Sequence, residues 1–489
     1  MLSLLLFAAL LVAALVRVFL ESRKNYPPGP FNIPFLGSLQ QGRLINTVVH
    51  DEMKKLSDQY GNLVFLKILM DQPVLIIRGY DLVKEATHSR AFSGVGRPLT
   101  FKEHGLHRRM GLIFSDGDNW HQMRRFSLRA LRDQGFGRKT RTDNINEELA
   151  EVLGSLMVAA KEGHEVQVRG LFTLAATNAL LQLIIGTKLQ RGGQVEHLTE
   201  LVDRNVNSLG PACMHLELFP WLRHVAPRLS GFQQFHDDVQ EMVDIFLPLI
   251  AEHAQSVVDD QPPRDLVEAF LQQQREQRPP HRFTKDNLRC LLKDLLMAGM
   301  ETVNTVMEWV ILILVLHPDV QARAAAEVDE VVGHDRTPAI DDMLAMPYLE
   351  AVIEETMRWM PALPIVQHAT TFGATQLGGR HVPANCRVFI DLRSVLHDAA
   401  FWGDPECFRP ERFLAPDAAR LKERLLGFGF GLRRCIGETH ARQALFLFTA
   451  GLLQRLRLQL SPGQADPSRP GPSLVLKPQP YRITVQTRE

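Results

Sequence analysis

The sequence has no excess of either charge, because 55 Lys and Arg residues are balanced by 55 Asp and Glu residues among 489 positions. Proteins that bind nucleic acid neutralise phosphates with a surplus of Lys and Arg, so this balance argues against a nucleic-acid partner. Cysteine is also scarce: there are five residues, an odd number, with neither CxxC spacing nor a Cys/His cluster of the zinc-binding kind. These absences argue against a zinc site and predict a reduced domain that faces the cytosol.

Nearly uninterrupted apolar runs of about 20 residues are rare as well, since the N-terminus has one and no second run of comparable length follows. Residues 1–20 are nearly all apolar, with one charge at Arg17, which is about the length that spans a bilayer. No second run of that length follows, so a multi-span transporter is not supported. The basic residues Arg23 and Lys24 follow the run, which favours a retained anchor over a cleaved signal peptide or a buried helix, and the positive-inside rule leaves the rest in the cytosol. We predict an anchor at 1–20, a polar and proline-rich linker at 21–36 and a catalytic domain at 37–489.

The periodicity of apolar residues predicts a mainly helical fold. Through residues 80–355 they recur at three and four positions, for example at Ile145, Leu149 and Val152, as in an amphipathic helix. Short runs of Val, Leu and Ile predict strands at Leu63–Leu69, Pro73–Ile77 and Val388–Leu392, and a C-terminal hairpin of Ser473–Leu476 with Tyr481–Val485. The predicted fold class is mainly α with small β-sheets (α+β).

One cysteine has unusual neighbours. The stretch FGFGLRRCIGE, from Phe428 to Glu438, surrounds Cys435 with glycines, phenylalanines and two arginines. A lone cysteine is most often a small buried apolar residue. Here, however, the glycines leave room for a flat ligand or another backbone, Arg433 provides donors for a carboxylate, and a helix begins just after the loop, with free N–H groups near the sulfur. We expect this environment to favour the thiolate.

The pattern FxxGxRxCxG resembles the haem-binding loop of the cytochrome P-450 haem-thiolate monooxygenases. It is formed by Phe428, Gly431, Arg433, Cys435 and Gly437. The resemblance implies the cytochrome P-450 fold, haem b (iron protoporphyrin IX) as cofactor, and Cys435 as the axial metal ligand, a thiolate that donates electron density to iron. It also implies that Phe428 and Gly429 contact the haem.

The stretch Ala298-Gly-Met-Glu-Thr302, inside a long apolar helical segment, resembles the family's A-G-x-[D/E]-T element. Glycine within a helix costs about 1 kcal/mol relative to alanine, so Gly299 indicates either room for a ligand or close packing between helices. The resemblance implies that Ala298 and Gly299 lie against the haem and that Glu301 and Thr302 are catalytic and pass protons through water. A threonine bonded to a helix carbonyl and a solvated glutamate are the alternatives. The family often has a second hydroxyl next, where this chain has Val303.

The pair Glu355 and Arg358, at i and i+3 of a predicted helix, resembles the family's E-x-x-R motif. In the family this pair joins an arginine from a later segment, which corresponds to Arg412 in FRPERF. The resemblance implies a buried triad with a structural role rather than a catalytic one.

Haem carboxylates need donors once they are enclosed. Trp120 and Arg124 match the family's W-x-x-x-R on one helix face, and Arg433 adds a second cation. A looser positional resemblance adds Arg97 and His368, for which a surface arginine and a satisfied core histidine are the alternatives.

These motifs occur in the family's order, and the anchor followed by Pro27-Pro-Gly-Pro30 resembles the microsomal class. The segment Arg125–Arg138 resembles the clan that contains vertebrate drug-metabolising and arthropod hormone-synthesis enzymes, of which we favour the arthropod side. The implied activity is insertion of one oxygen atom from O₂, by hydroxylation or epoxidation, into a lipophilic substrate such as a terpenoid, steroid, fatty acid or xenobiotic. The implied electron donor is an NADPH-cytochrome reductase, optionally with a cytochrome b-type donor, at the endoplasmic reticulum membrane.

The resemblance also nominates surfaces by position. Apolar residues that could line the substrate pocket, and could equally be ordinary core, are Phe101, Leu106, Ile113, Phe114, Ala298, Ile365, Val366 and Leu476. Basic residues that could dock an acidic reductase, and could equally be a solvated face, are Arg129, Arg132, Arg138, Lys139 and Arg434.

Two rival functions stay open. A haem-thiolate isomerase or dehydratase rearranges a peroxide without O₂ or a reductase, and such relatives typically lack the acid–threonine pair that Glu301 and Thr302 form here. A non-enzymatic haem or lipid carrier would need neither a proton relay nor a reductase surface.

Overall fold

The computed structural model describes residues 25–33, 36–38, 49–68, 72–95, 99–135, 143–189, 192–208, 214–258, 261–276, 282–471 and 473–488. The predicted membrane anchor at 1–20 lies outside these residues, as does part of the predicted linker.

Helices dominate the described residues, as the periodicity predicts. They are α1 (Val49–Tyr60), α2 (Tyr80–His88), α3 (Leu99–His104), α4 (Gly117–Asp133), α5 (Asp143–Glu162), α6 (Thr173–Ile184), α7 (Gly193–Ser208), α8 (Met214–Leu218), α9 (Leu222–Val225), α10 (Phe232–Asp244), α11 (Leu247–Ser256), α12 (Leu266–Glu276), α13 (Lys285–Leu316), α14 (Pro318–Val331), α15 (Pro347–Trp359), α16 (Arg393–Leu396), α17 (Ala399–Trp402), α18 (Ala418–Lys422) and α19 (Glu438–Arg455). Short 3₁₀ segments lie at Arg90–Phe92, Ile340–Ala345, Pro410–Leu414 and Gly431–Arg433.

The strands form small sheets beside the helices. They are β1 (Asn32–Ile33), β2 (Gly37–Ser38), β3 (Leu63–Ile68), β4 (Gln72–Ile77), β5 (Gly94–Val95), β6 (Val166–Gln167), β7 (Ile365–Thr370), β8 (Thr375–Leu377), β9 (Arg380–Val382), β10 (Arg387–Asp391), β11 (Leu456–Leu460) and β12 (Arg482–Thr487). The largest sheet has the order β3-β4-β10-β7-β5, in which β4 and β10 run parallel and the other pairs antiparallel. The predicted α+β class is confirmed.

The predicted C-terminal hairpin is wrong. The strand β12 forms, but it pairs antiparallel with β11, with Leu458 opposite Val485, and residues 473–480 are not a strand. Pro478 and Pro480 lack the N–H that a ladder needs. The stretch LRLQL of β11 alternates apolar and polar residues, so it offers β12 a partner with one buried face.

The helix α13 forms the centre of the core and positions much of the site. The Thr284 side chain caps it by accepting the N–H of Asn287, and it ends at His317 because Pro318 begins α14. Among the described residues, it is the helix long and apolar enough to cross a membrane, but 83% of its most apolar stretch is buried inside the protein. That burial is typical of a core helix.

Candidate functional site

The loop that carries Cys435 is held tightly by its own backbone and by α2. The Cys435 N–H donates to the Phe428 carbonyl at 2.9 Å, and the Gly437 N–H donates to Cys435 Sγ at 3.3 Å. Gly431 has a positive φ of 61°, and a Cβ there would lie 2.0 Å from the Thr87 carbonyl oxygen, so only glycine fits. The loop therefore packs on α2 while its sulfur lies directly before α19.

The electrostatic expectation for this sulfur needs correction. Cys435 is accessible to solvent, yet burial among the surrounding protein groups raises the pKa of its thiol. The Gly437 N–H, Arg124 and Arg434 act in the opposite direction without prevailing. The protein alone therefore does not favour the thiolate, although the N–H groups before α19 lie where the sequence predicts them.

Trp120, Arg124 and Arg433 come together beside this loop. The Arg433 guanidinium lies 4.2 Å from the centre of the Trp120 ring, and that of Arg124 lies 5.5 Å from the same ring. Arg433 also donates to the carbonyls of Ser93 and Ser115. The α4 helix and the Cys435 loop thus place two cations around one indole.

This cluster fits the carboxylates of a haem. Burial lowers the pKa of Arg433 to about 9, and the neighbouring Arg124 acts in the same direction, against the attraction of Asp116. The acceptors of the Arg433 guanidinium are neutral carbonyls, so a further anion would stabilise its charge. Arg97 lies outside the described residues. His368 lies in β7, and its side chain is likewise outside what the structure describes.

The middle of α13 has an accessible patch at Ala298 and Thr302. Ala298 is exposed and Thr302, one turn later, is half-buried, whereas Met297, Met300 and Glu301 are buried. The Thr302 hydroxyl donates to the Ala298 carbonyl at 2.7 Å, which is the helix back-bond that the sequence left open as an alternative. Its oxygen can still accept a hydrogen bond from water on the accessible face.

Gly299 is accounted for by packing. A Cβ on Gly299 would lie 2.6 Å from Leu180 Cδ2 of α6, so an alanine here would require the buried Leu180 side chain to shift. Close packing between helices, the alternative to a space for the haem, therefore explains this glycine.

Glu301 has a partner that the sequence did not reveal. Its carboxylate is ion-paired with Lys477, and the same ammonium lies 2.9 Å from Asp203 Oδ1 of α7. Burial raises the pKa of Glu301 to about 7, with Lys477 lowering it and Asp203 raising it. Glu301 is therefore a paired, buried acid, and the solvated alternative does not hold.

Glu355, Arg358 and Arg412 form a buried triad. Glu355 accepts from Arg358 Nε at 2.7 Å and Nη2 at 2.9 Å, and from Arg412 Nε at 3.0 Å. The relative exposure of the three side chains is 0%, 0% and 3%. The remaining Arg358 donors bond to the carbonyls of Leu396 and Pro405. Every polar group of the triad has a partner and all three side chains are buried, which agrees with a structural role.

Part of the nominated pocket gathers beside α13. Phe101, Ile113 and Phe114 share an apolar cluster with Leu432 and Ile436, which flank Cys435. The Phe101 and Phe114 rings meet edge to face with centroids 5.4 Å apart. The same cluster therefore contains apolar residues of the Cys435 loop and of α13.

The segment before α4 is positioned by α13 itself. Asp294 Oδ2 accepts the N–H groups of Leu112 at 2.7 Å and Ile113 at 2.8 Å. The ammonium of the buried Lys293 lies 2.9 Å from Asp294 and 4.6 Å from the centre of the Phe114 ring. Sequence reasoning missed this pair, although two adjacent charges in an apolar helix are a visible signal.

The other nominated pocket residues have different neighbours. Leu106 packs with Phe235 of α10, and Ile365 and Val366 pack into clusters on the large sheet. These are contacts of ordinary core. Leu476 is buried, and its backbone is bonded on both sides, to the Ala362 carbonyl and to the Trp309 indole N–H.

Of the nominated docking cations, Arg129 and Arg132 are exposed on α4. Arg434 is ion-paired with Glu438 at 2.7 Å. Arg138 and Lys139 lie outside the described residues.

Comparisons with known proteins agree on one family. The family model described as Cytochrome P450 matches residues 27–485. Farnesoate epoxidase of Bombyx mori is 31% identical over 495 residues, covering 99% of both chains. Cytochrome P450 2B2 of Rattus norvegicus is 31% identical over 500 residues with the same coverage, and cytochrome P450 2D3 of Rattus norvegicus is 33% identical over 473 residues, 94% of this chain and 92% of the relative.

The chain belongs to the cytochrome P450 family.

As a cytochrome P450, the protein is a monooxygenase, an oxidoreductase whose cofactor is haem b. The predicted family, fold, enzyme class and cofactor are confirmed. Cys435 would hold the iron of this cytochrome P450, and Trp120, Arg124 and Arg433 would hold the haem carboxylates. When bound, the haem supplies the activation of O₂.

Proposed function

We propose that this cytochrome P450 hydroxylates or epoxidises a lipophilic small molecule, with a terpenoid as the first class to test. The apolar cluster that Phe101, Ile113 and Phe114 share with Met297 of α13, the residue before the accessible Ala298, carries the proposal, because an apolar lining selects an apolar ligand. The relative named farnesoate epoxidase, which matches the chain almost end to end, supports the choice of terpenoids.

In this proposal the chain's own residues orient the substrate and handle protons. Phe101 and Phe114 exclude water from the reacting region, because their rings are almost completely buried. Thr302 accepts and donates a proton at its hydroxyl, and Glu301 supplies that proton through water from a pKa of about 7, which is matched to neutral pH.

The substrate class is tested by absorbance. Terpenoids, steroids and fatty acids are added to the purified haem-loaded enzyme, and those that shift the haem absorption band are then incubated with NADPH and a reductase. We expect isoprenoid compounds to give the shift at the lowest concentration and to yield an oxygenated product. If only polar compounds bind, the apolar-pocket proposal is wrong.

The same incubation distinguishes the rival isomerase or dehydratase. The proposal requires the product to depend on NADPH, reductase and O₂. Product that forms from a peroxide when all three are omitted supports the rival.

We further propose that electrons come from an NADPH-cytochrome reductase that docks on the exposed arginines of α4, with the domain held at the endoplasmic reticulum membrane by residues 1–20. Arg124, in the same helix, donates to the Arg434 carbonyl at 2.6 Å, directly beside Cys435. Replacing both Arg129 and Arg132 with Glu should raise the KM for reductase about tenfold at low salt and have less effect at high salt. A KM that is unchanged at both salt concentrations contradicts this docking face.

Removal of residues 1–20 should release the protein from membranes.

A further inference from the structure

The backbone next to Lys477 is held in place by hydrogen bonds of the preceding residue. The preceding residue, Leu476, donates its N–H to the Ala362 carbonyl at 2.9 Å and accepts the Trp309 indole N–H at 2.7 Å. Trp309 lies in α13 and is completely buried. The Lys477 backbone is therefore anchored to α13, and its ammonium can reach a limited set of partners.

Those partners are two carboxylates on different helices. Lys477 Nζ lies 2.9 Å from Asp203 Oδ1 of α7 and is ion-paired with Glu301 of α13. The relative exposure of the side chains is 17% for Lys477, 6% for Glu301 and 42% for Asp203. One cation thus joins a buried acid to a half-exposed one on a separate helix.

The two carboxylates compete for this cation. A buried carboxylate without a partner is costly, so Glu301 depends on the Lys477 charge. Asp203 repels Glu301 and shares its ammonium, and so acts against Lys477 on the pKa of Glu301. Lys477 also attracts the carboxylate of Glu308 electrostatically. Glu308, however, accepts from Asn304 and the Gly170 N–H and pairs with Arg169.

The α7 helix that carries Asp203 also lines the apolar region of the site. Its Leu198, Leu201, Val202 and Val206 share one apolar cluster with Phe114 and Met297. The helix whose carboxylate competes with Glu301 therefore belongs to the same apolar cluster as the nominated pocket residue Phe114.

We propose that Lys477 is a positioning residue for the Glu301 carboxylate and that, through Asp203, the placement of α7 sets how firmly Lys477 holds it. This inference rests on the proton-handling role proposed for Glu301. It links occupation of the apolar region to proton supply at Thr302 through an ion cluster that spans α7, α13 and the segment after Leu476.

The test titrates Glu301 in the haem-loaded full-length protein by infrared difference spectroscopy. The protonated-carboxyl band is assigned by its loss in Glu301→Gln. We expect Lys477→Met to move the midpoint of that band to higher pH by about one unit or more and Asp203→Asn to move it to lower pH, because removal of a positive and of a negative neighbour act oppositely. Lys477→Arg, which keeps the charge, should stay close to the wild type, as should Lys161→Met, an exposed lysine of α5.

The ratio of product formed to NADPH consumed is then measured against pH with the screened compound that gives product. In each variant, the midpoint of this ratio should move in the same direction as the midpoint of that variant's infrared band. A merely structural role of Lys477 does not give this result. If Lys477→Met is poorly folded, the infrared midpoints of Asp203→Asn and Lys477→Arg still test the inference. If Glu301→Gln uncouples the reaction but the Lys477 and Asp203 variants leave the infrared midpoint unmoved, this inference alone fails. If Glu301→Gln leaves coupling unchanged, the proposed role of Glu301 fails with it.

Discussion

At the scale of single residues, the chemistry depends on how Cys435 is held. Its N–H is bonded to the Phe428 carbonyl, and its sulfur accepts the Gly437 N–H. Burial nevertheless raises the pKa of the thiol, so ionisation has to accompany iron binding, because a coordinating thiol is deprotonated by its metal. The loop therefore positions the sulfur, and binding of the iron deprotonates it.

Replacing Cys435 with Ser should abolish the thiolate-type carbon monoxide spectrum and reduce haem content at least tenfold, because serine provides no comparable soft ligand. Cys407→Ser is the matched control, since Cys407 is also an exposed free thiol. Both variants are measured by reduced carbon monoxide difference spectra and by haem content per chain. A thiolate-type spectrum that survives in the Cys435 variant contradicts the assigned ligand.

Contacts within one short segment could be predicted from the residues alone, whereas contacts made through the fold could be predicted only where the family resemblance implied them, as for Arg412 with Glu355. The motif around Cys435 is local, and the pairing of Glu355 with Arg358 follows from one turn of a helix. Lys477, in contrast, meets Glu301 only because the segment after Leu476 folds back on α13. The pKa of the Cys435 thiol could not be predicted either. Burial and hydrogen bonding shift it in opposite directions, and the extent of burial depends on the assembled structure.

At the scale of elements, the Glu355 triad joins α15 to the segment before α18. Glu355→Gln removes the one carboxylate that pairs two buried arginines. We expect it to destabilise the fold by about 3–5 kcal/mol, because the completely buried Arg358 loses its carboxylate partner, whereas Arg412 keeps Asp404.

Arg323→Met is the control for this prediction, because its ion pair with Glu411 is about half exposed and should contribute about 0–1 kcal/mol. Both variants are measured by denaturant unfolding followed by far-ultraviolet circular dichroism. Equal effects of the two substitutions contradict a structural lock.

The contact of α13 with α6 makes a second prediction at this scale. Gly299→Ala adds a methyl group 2.6 Å from Leu180 Cδ2, so it should destabilise the protein by about 1–3 kcal/mol, despite the roughly 1 kcal/mol that alanine gains in a helix. Adding Leu180→Ala should make the alanine at 299 less harmful, with an interaction energy of about 1 kcal/mol or more in the double-mutant cycle. Strict additivity with loss of haem would instead favour the haem-space alternative for Gly299.

The contrast between local pattern and contacts made through the fold also explains why the predicted C-terminal hairpin is wrong. Both Ser473–Leu476 and Leu456–Leu460 contain apolar residues suited to a strand, but only the second alternates with polar residues. The choice of partner for β12 depends on which segment the fold brings alongside it, and this is not a local property of either segment.

At the scale of the whole molecule, formal charges balance at neutral pH, so changes of stability with pH depend on particular shifted groups rather than on general repulsion. His253 of α11 is one such group. Its Nε2 lies 2.9 Å from Asp265 Oδ2, just before α12, and its Nδ1 lies 2.8 Å from the Leu249 carbonyl. The hydrogen bond to Asp265 raises the pKa of His253 from 6.5 to about 9, against burial.

The sign of the resulting pH dependence follows from this shift. The pKa of His253 is higher in the folded than in the unfolded chain, so its contribution to stability is complete below about pH 6.5 and is lost as the pH rises through about 9. Over that window the difference in unfolding free energy between wild type and His253→Gln should shrink by up to about 1.4 kcal/mol per pH unit. His164→Gln is the control, because its ion pair with Glu162 is mostly exposed and should change stability little at any pH. Urea unfolding of the three proteins at several pH values measures the differences, and a difference for His253→Gln that stays constant across the window contradicts the assigned ion pair.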